Sequence, residues 1–165
     1  MTKIILAAAA ALVSLGTVTQ ADELPTAAYL PVAKAVEAAN AAVESCKAKG
    51  FAVTTAIVAR SGETSVLIHG DGAGPHTNGS ATGKAFTSAS MGRPSGALAG
   101  GIASNPPLAG LRDMDPRLVI LAGGLPIRIN GQLVGGIGVG GAPSGDIDAE
   151  CAIEGLKAIG AEVPE

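Results

Sequence analysis

Residues 126–141, PIRINGQLVGGIGVGG, admit two readings that lead to different folds. Within them GIGVGG (136–141) matches G-x-G-x-x-G letter for letter and stands between a strand and a helix, the setting of a dinucleotide fingerprint in a parallel sheet. Taken with what precedes it, the same segment is one arm of a hairpin, because Asn130-Gly131 separates two apolar runs and supplies the positive-φ residues of a type I′ turn. The hairpin is the better reading. Gly136 and Gly138 lie inside the second run rather than in a turn after it, and Pro143 intervenes before the next helical segment. No later stretch reads as a strand that would present a ribose-binding acid about 20 residues on. Glycines at 135, 136, 138, 140 and 141 then mark a twisted strand crowded by a helix or a neighbouring subunit.

Working outward, LVIL (118–121) gives a further strand before the hairpin, whose arms are PIRIN (126–130) and QLVGGIGV (132–139). Upstream, FAVTTAIVA (51–59) and TSVLIH (64–69) flank Arg60-Ser61-Gly62-Glu63 and read as a second antiparallel hairpin. Three segments carry helical spacing. Residues 31–49 place Val32, Val36, Ala39, Val43 and Cys46 on one stripe, with Pro31 in the first turn and Gly50 as the C-cap. Ser80 is positioned to cap a helix through ATGKAFTSASM that stops at Gly92 before Arg93-Pro94. Ser144 to about Gly160 forms the last helix, with Asp146, Asp148 and Glu150 near its positive end. Residues 95–117 are too rich in Gly and Pro for more than one short helix. The expected fold is therefore α+β: a five-stranded, mostly antiparallel sheet covered by helices.

The chain begins Met1-Thr2-Lys3, continues through an apolar run at 4–18 and reaches Thr19-Gln20-Ala21, the pattern of a secretory signal over 1–21. Its apolar run falls short of the about 20 residues that a membrane span needs. Residues 22–165 are thus expected to be one exported domain, periplasmic or secreted, with no membrane span. The net charge of −3 provides no basic field for nucleic acid or anionic lipid. Tyr29, Phe51 and Phe86 are the only aromatic residues, so the core must be built from small and branched aliphatic side chains. Base-stacking platforms are excluded for the same reason. Cys46 and Cys151, both in helical segments, either form a disulfide, as an exported chain permits, or are buried separately as small hydrophobes.

Most catalytic motifs are missing. NGSATGKA (78–85) fails as a phosphate loop, since Asn78 replaces the first glycine and Ala85 the magnesium-binding hydroxyl. There is neither G-x-S-x-G nor H-E-x-x-H. What remains is HGDGAGPHTNGS (69–80), a glycine-rich loop holding both histidines of the chain. A single imidazole suffices to ligate haem iron. His69 ends a strand and can equally point at solvent; His76 stands near a helix N-terminus, where anionic groups bind. Lys84 and Arg93 are candidates to neutralise haem propionates, or else an exposed lysine and an arginine paired with a carboxylate.

GKAFTSA, AGGLPIRINGQLVGGIGVGGA and GDIDAECA, in that order, resemble the GlcG/HbpS-like (haem-degrading domain) family across about residues 31–160. The resemblance implies a profilin-like α/β/α sandwich with a five-stranded antiparallel sheet, assembly into homo-oligomers, and haem or iron binding in exported members. It places Lys84 on the family lysine, Gly123, Gly124 and Pro126 on a GG-x-P turn, Asp71 on an aspartate after the second strand, and Asp148 on the acidic position of the last helix. The sequence departs from the family at Ala59-Arg60, where an aspartate is usual, at His69, where an arginine is usual, and at Gly140, where a serine is usual. Three functions follow. The first is an exported haem-binding protein that sequesters or senses haem, with His76 on the iron, or His69 in its place, and Lys84 and Arg93 on the propionates. The second is a non-catalytic accessory module binding a small anion or a partner protein. The last is a haem-modifying enzyme, for which no acid, base and nucleophile constellation is visible.

Overall fold

A computed structural model describes residues 24–164. The expected signal at 1–21 lies outside the described residues. The elements run α1 (Val32–Ala48), β1 (Thr54–Ala59), β2 (Thr64–His69), α2 (His76–Met91), α3 (Ala97–Ser104), a 3-10 segment at Pro106–Arg112, β3 (Gly124–Ile129), β4 (Gln132–Gly140) and α4 (Gly145–Ala158). Both hairpins are present. Asn130 and Gly131 take positive φ values of 51° and 76° and turn β3 into β4, as the dipeptide requires.

The sheet has order β2-β1-β4-β3, with every neighbouring pair antiparallel. It holds four strands among the described residues, not five, because LVIL at 118–121 forms no ladder. Side chains of α2 and the segment after it bond part of its backbone instead. The Val119 amide donates to Thr87 Oγ1 at 2.9 Å, and Ser95 Oγ donates to the Leu121 carbonyl at 2.5 Å while accepting from the Gly124 amide at 2.9 Å. The apolar run thereby packs across α2, with the Val119 side chain over Gly83. Just before it, Arg117 lies 4.0 Å from the centre of the Phe86 ring and forks onto Asp115, whose carboxyl those hydrogen bonds lower to about 2.

One face of the sheet packs Val53, Ile57, Leu125, Ile127, Ile137 and Val139 against α1 and α4. The other lays Ala56 and Val58 against Ala81, Ala85, Phe86 and Ala89 of α2. This makes an α/β/α sandwich. In α1 the buried stripe is Ala35, Ala38, Ala39, Ala42 and Cys46, whereas Val32 and Val36 are exposed. The expected valine stripe is thus rotated, because α1 approaches α4 too closely for branched side chains. A Cβ on Gly155 of α4 would stand 2.6 Å from the Ala38 carbonyl oxygen. A disulfide joins Cys46 to Cys151 across the same contact, with both cysteines fully buried.

On the other face, α2 lies directly on β4. A Cβ on Gly136 or Gly138 would enter the space of the Ala85 or Ala81 carbonyl oxygen, and one on Gly140 would stand 2.8 Å from Ser80 Oγ. The glycines of GIGVGG are therefore a helix seat. Gly138→Ala should cost about 3 kcal/mol in a denaturant titration, since added volume in a packed layer shifts backbone on both sides. Gly100→Ala, on α3 with nothing within 4 Å of the added carbon, should instead stabilise by about 0.5–1 kcal/mol.

Candidate functional site

The edge strand β2 ends at His69, and the pairing of β1 with β2 sets Thr54 directly opposite it. Seven residues later α2 begins, at His76 rather than after Ser80, so the glycine-rich loop spans only 70–75. Pro75 already has helical backbone angles, and Thr77 Oγ1 donates to the Gly74 carbonyl at 2.6 Å, which closes the first turn. Ser80 is not a cap, because it lies inside α2, with its side chain close under Gly140.

These elements bring four polar side chains together. Thr54 Oγ1, fully buried, lies 2.8 Å from His69 Nδ1, 2.7 Å from Thr77 Oγ1 and 3.2 Å from Asn78 Oδ1. His69 Nδ1 also lies 2.7 Å from Asn78 Oδ1. His69 itself is exposed. With Nδ1 tied to a buried hydroxyl, Nε2 is the ring nitrogen that these bonds leave free.

His69 stands on the rim of a cleft of about 430 Å³ between the end of α1 and the strands, within the size range of ligand sites. Val43, Phe51, Val53 and Ile68 form its apolar wall, and Glu44, Lys47 and Asp71 place charges around it. A larger depression of about 910 Å³ lies between α1 and α4, but it is shallow and lined by small residues, Ile153 and the Lys49–Glu150 and Lys157–Glu154 pairs. It holds no histidine or cysteine. Among the described residues no group of three or more His, Cys, Asp and Glu is arranged to hold a metal ion.

The other expected site residues are dispersed. His76 is exposed at the first turn of α2, its ring folded against Gly74. Arg93 is exposed beyond the α2 C-cap, about 20 Å or more from His76 by the rise of the helix. Lys84 is not at the surface. Its side chain is 4% exposed, and Nζ donates to Asp148 Oδ2 at 2.7 Å and to the Val139 carbonyl at 3.0 Å, joining α2 to α4 across the end of β4. A surface propionate is out of its reach, so the expected set of His76, Lys84 and Arg93 does not form one site. Burial pushes the Asp148 carboxyl above its ordinary value of 3.8, against the opposing pull of Lys84 and the Ala142 and Gly141 amides.

Thr54, Thr77 and Asn78 were not legible as site residues, although one signal was available. The hairpin pairs Val58 with Thr64 across the turn and, past an irregularity between Ile57 and Val58, runs in register to pair Thr54 with His69. A threonine facing a strand-end histidine is a candidate partner for its ring nitrogen.

The family described as haem degrading protein HbpS-like matches residues 30–157. HbpS from Streptomyces reticuli, solved as a double glutamate-to-aspartate mutant, is 42% identical, with 90% of this chain and 97% of that one covered and a TM-score of 0.78. A PduOC:heme complex is 25% identical over 82% of this chain and 98% of that one, with a TM-score of 0.75. The Klebsiella pneumoniae protein ORFY shares the fold at 23% identity, covering 87% and 99%, with a TM-score of 0.78. No curated protein matches the chain.

Removing one member of the buried ion pair, by Lys84→Met or Asp148→Leu, should cost about 3–5 kcal/mol, because the other charge stays buried without a partner. The double variant should recover most of that loss in the same denaturant titration. The carboxyl also gives a pH signature. Its folded-state value is raised, so the folded chain binds this proton more tightly than the unfolded one. The stability of the wild type relative to Asp148→Asn should accordingly fall as pH rises from 3.8 through the raised value, and be flat above it.

Proposed function

The chain belongs to the HbpS-like haem-degrading protein family, and from that membership we propose that it is an exported haem-binding protein in which His69 ligates the iron. The observation that carries this reading is the exposed His69, hydrogen-bonded through Nδ1 and lining a cleft with an apolar wall, so that Nε2 is the nitrogen those bonds leave free. The residues present fit the group. Imidazole is the ligand that haem iron most often takes from a protein, and Val43, Phe51 and Ile68 offer the apolar cover that the macrocycle needs. Lys47 supplies the cation for a propionate in place of Lys84 and Arg93, with Glu44 and Asp71 limiting how the acidic edge is placed.

When bound, haem supplies one-electron and dioxygen chemistry. The chain's own part is to hold the iron through one nitrogen, cover one edge of the ring and orient the propionates. The family name and the heme complex of the PduOC relative support haem as the ligand, and His69 is the histidine that lines the cleft. Export is supported by the segment at 1–21 and by the Cys46–Cys151 disulfide, which persists in an oxidising compartment.

A hemin titration of residues 22–165, followed by the absorbance of bound haem, tests the reading. Saturable binding is expected in the wild type and in His76→Ala, and its loss in His69→Ala. Loss in His76→Ala alone would move the ligand to the first turn of α2. A wild type that takes up no hemin would sink the haem reading and leave the loop as a docking surface for a small anion or a partner protein.

A further inference from the structure

We infer that Thr54 is a positioning residue that fixes His69 in the tautomer bearing its proton on Nδ1, which leaves a bare nitrogen lone pair at Nε2 for a metal ligand. The inference deepens the reading of His69 as an iron ligand and rests on it only for the identity of that ligand.

The argument is a count of protons. Thr77 Oγ1 lies 2.6 Å from the Gly74 carbonyl oxygen, which can only accept, so the single hydroxyl proton of Thr77 is committed there. The 2.7 Å contact between Thr77 Oγ1 and Thr54 Oγ1 must then use the Thr54 proton. Thr54 has none left. Its 2.8 Å contact with His69 Nδ1 is a hydrogen bond only if Nδ1 carries the proton and donates it. Asn78 presents Oδ1 to the same N–H at 2.7 Å, and the 3.2 Å contact through which Thr54 Oγ1 could donate to Asn78 Oδ1 is a longer competitor for the Thr54 proton than the 2.7 Å contact with Thr77 Oγ1.

The chain Gly74 carbonyl, Thr77, Thr54, His69 thus runs in one direction from a fixed acceptor to the ring nitrogen left free. The inner three groups are held by different elements: the turn before α2, the first turn of α2 and the buried start of β1. Metal-binding histidines commonly donate their second ring N–H to an oxygen acceptor in this way, which sets ring orientation and raises basicity at the ligating nitrogen. Asn78 alone cannot enforce the result, because its amide can turn and offer N–H to an unprotonated Nδ1. Thr54, with its proton already spent, has no such freedom.

The test uses 15N-labelled protein without hemin at about pH 8, where imidazole is neutral, and reads the tautomer from long-range proton–nitrogen correlations of the ring. The wild type is expected to show His69 as Nδ1–H. Thr54→Val should release it to a mixture of tautomers, and Thr54→Ser, which keeps the oxygen, should restore the wild-type pattern. Amide spectra of each variant check that it is folded. A wild type with Nε2–H, or a folded Thr54→Val variant that stays wholly Nδ1–H, would overturn the proposal. A hemin titration of the same proteins gives the second readout: Thr54→Val should bind about tenfold more weakly, and Thr54→Ser within about twofold of the wild type. If the tautomers behave as stated but hemin does not bind the wild type, the haem reading fails while the positioning role of Thr54 stands.

Discussion

The rest of the molecule depends on how closely α2 can approach β4. Main-chain oxygens of Ala81 and Ala85 occupy the space where side chains on Gly138 and Gly136 would be, so the helix rests on the strand backbone itself. Gly124 repeats the arrangement on β3, with the Lys84 carbonyl in its Cβ position. Such a contact is short-range on both sides and leaves α2 little freedom to slide or tilt. Because α2 is seated this way, its first turn arrives at the start of β1, where Thr77 and Asn78 meet Thr54 and His69. A strand of larger residues would lift the helix and separate the four groups.

The same economy of volume governs the opposite face. Alanines of α1 and Gly155 of α4 let those helices close on each other, and Cys46 and Cys151 fit the gap as a bridge. With only three aromatic residues in the chain, little apolar surface per residue is available to hold the layers. Directional bonds take up part of that task. Lys84 on α2 reaches the start of α4 and the end of β4 at once, so one buried ammonium ties two helices and a central strand. Its burial explains why a lysine placed only a few residues from the glycine-rich loop does not take part in it.

Local rules carried the reading of the sequence where the signal was local. Asn130-Gly131 specified a turn, Arg60 to Glu63 another, and Ser144 a helix start, because each acts through its own backbone angles or hydroxyl. LVIL at 118–121 looked like a strand because β-branched and apolar residues suit a strand as well as a covering segment. What decided against it were Thr87 and Ser95, more than 20 residues away, which bond part of its backbone. The rotation of α1 toward its alanines has a similar origin, since nothing within residues 31–49 reveals how near α4 will lie. Ser80 lost its capping role to Pro75 and Thr77 for a nearer reason: a proline with helical angles starts the helix one turn earlier. The site showed the same division, with both histidines legible by type, His69's partner legible only through strand register, and Lys84's partner not legible at all.

Between the two histidines, exposure alone does not discriminate, because both are exposed. Order does. His69 has Nδ1 within hydrogen-bond reach of two oxygen atoms, one on a fully buried residue, so its ring plane is set before any ligand arrives. For His76 the structure records only a close packing of its ring against Gly74, which restricts the ring without orienting either nitrogen. A ligand bound through an oriented ring pays less of the rotamer entropy that association otherwise costs, about 0.5–1.5 kcal/mol for a side chain of this kind. His69 also borders an apolar wall that His76 does not share. Position in the cleft and prior ordering therefore point to the same residue, although the sequence had given the N-terminal turn of α2 the stronger claim.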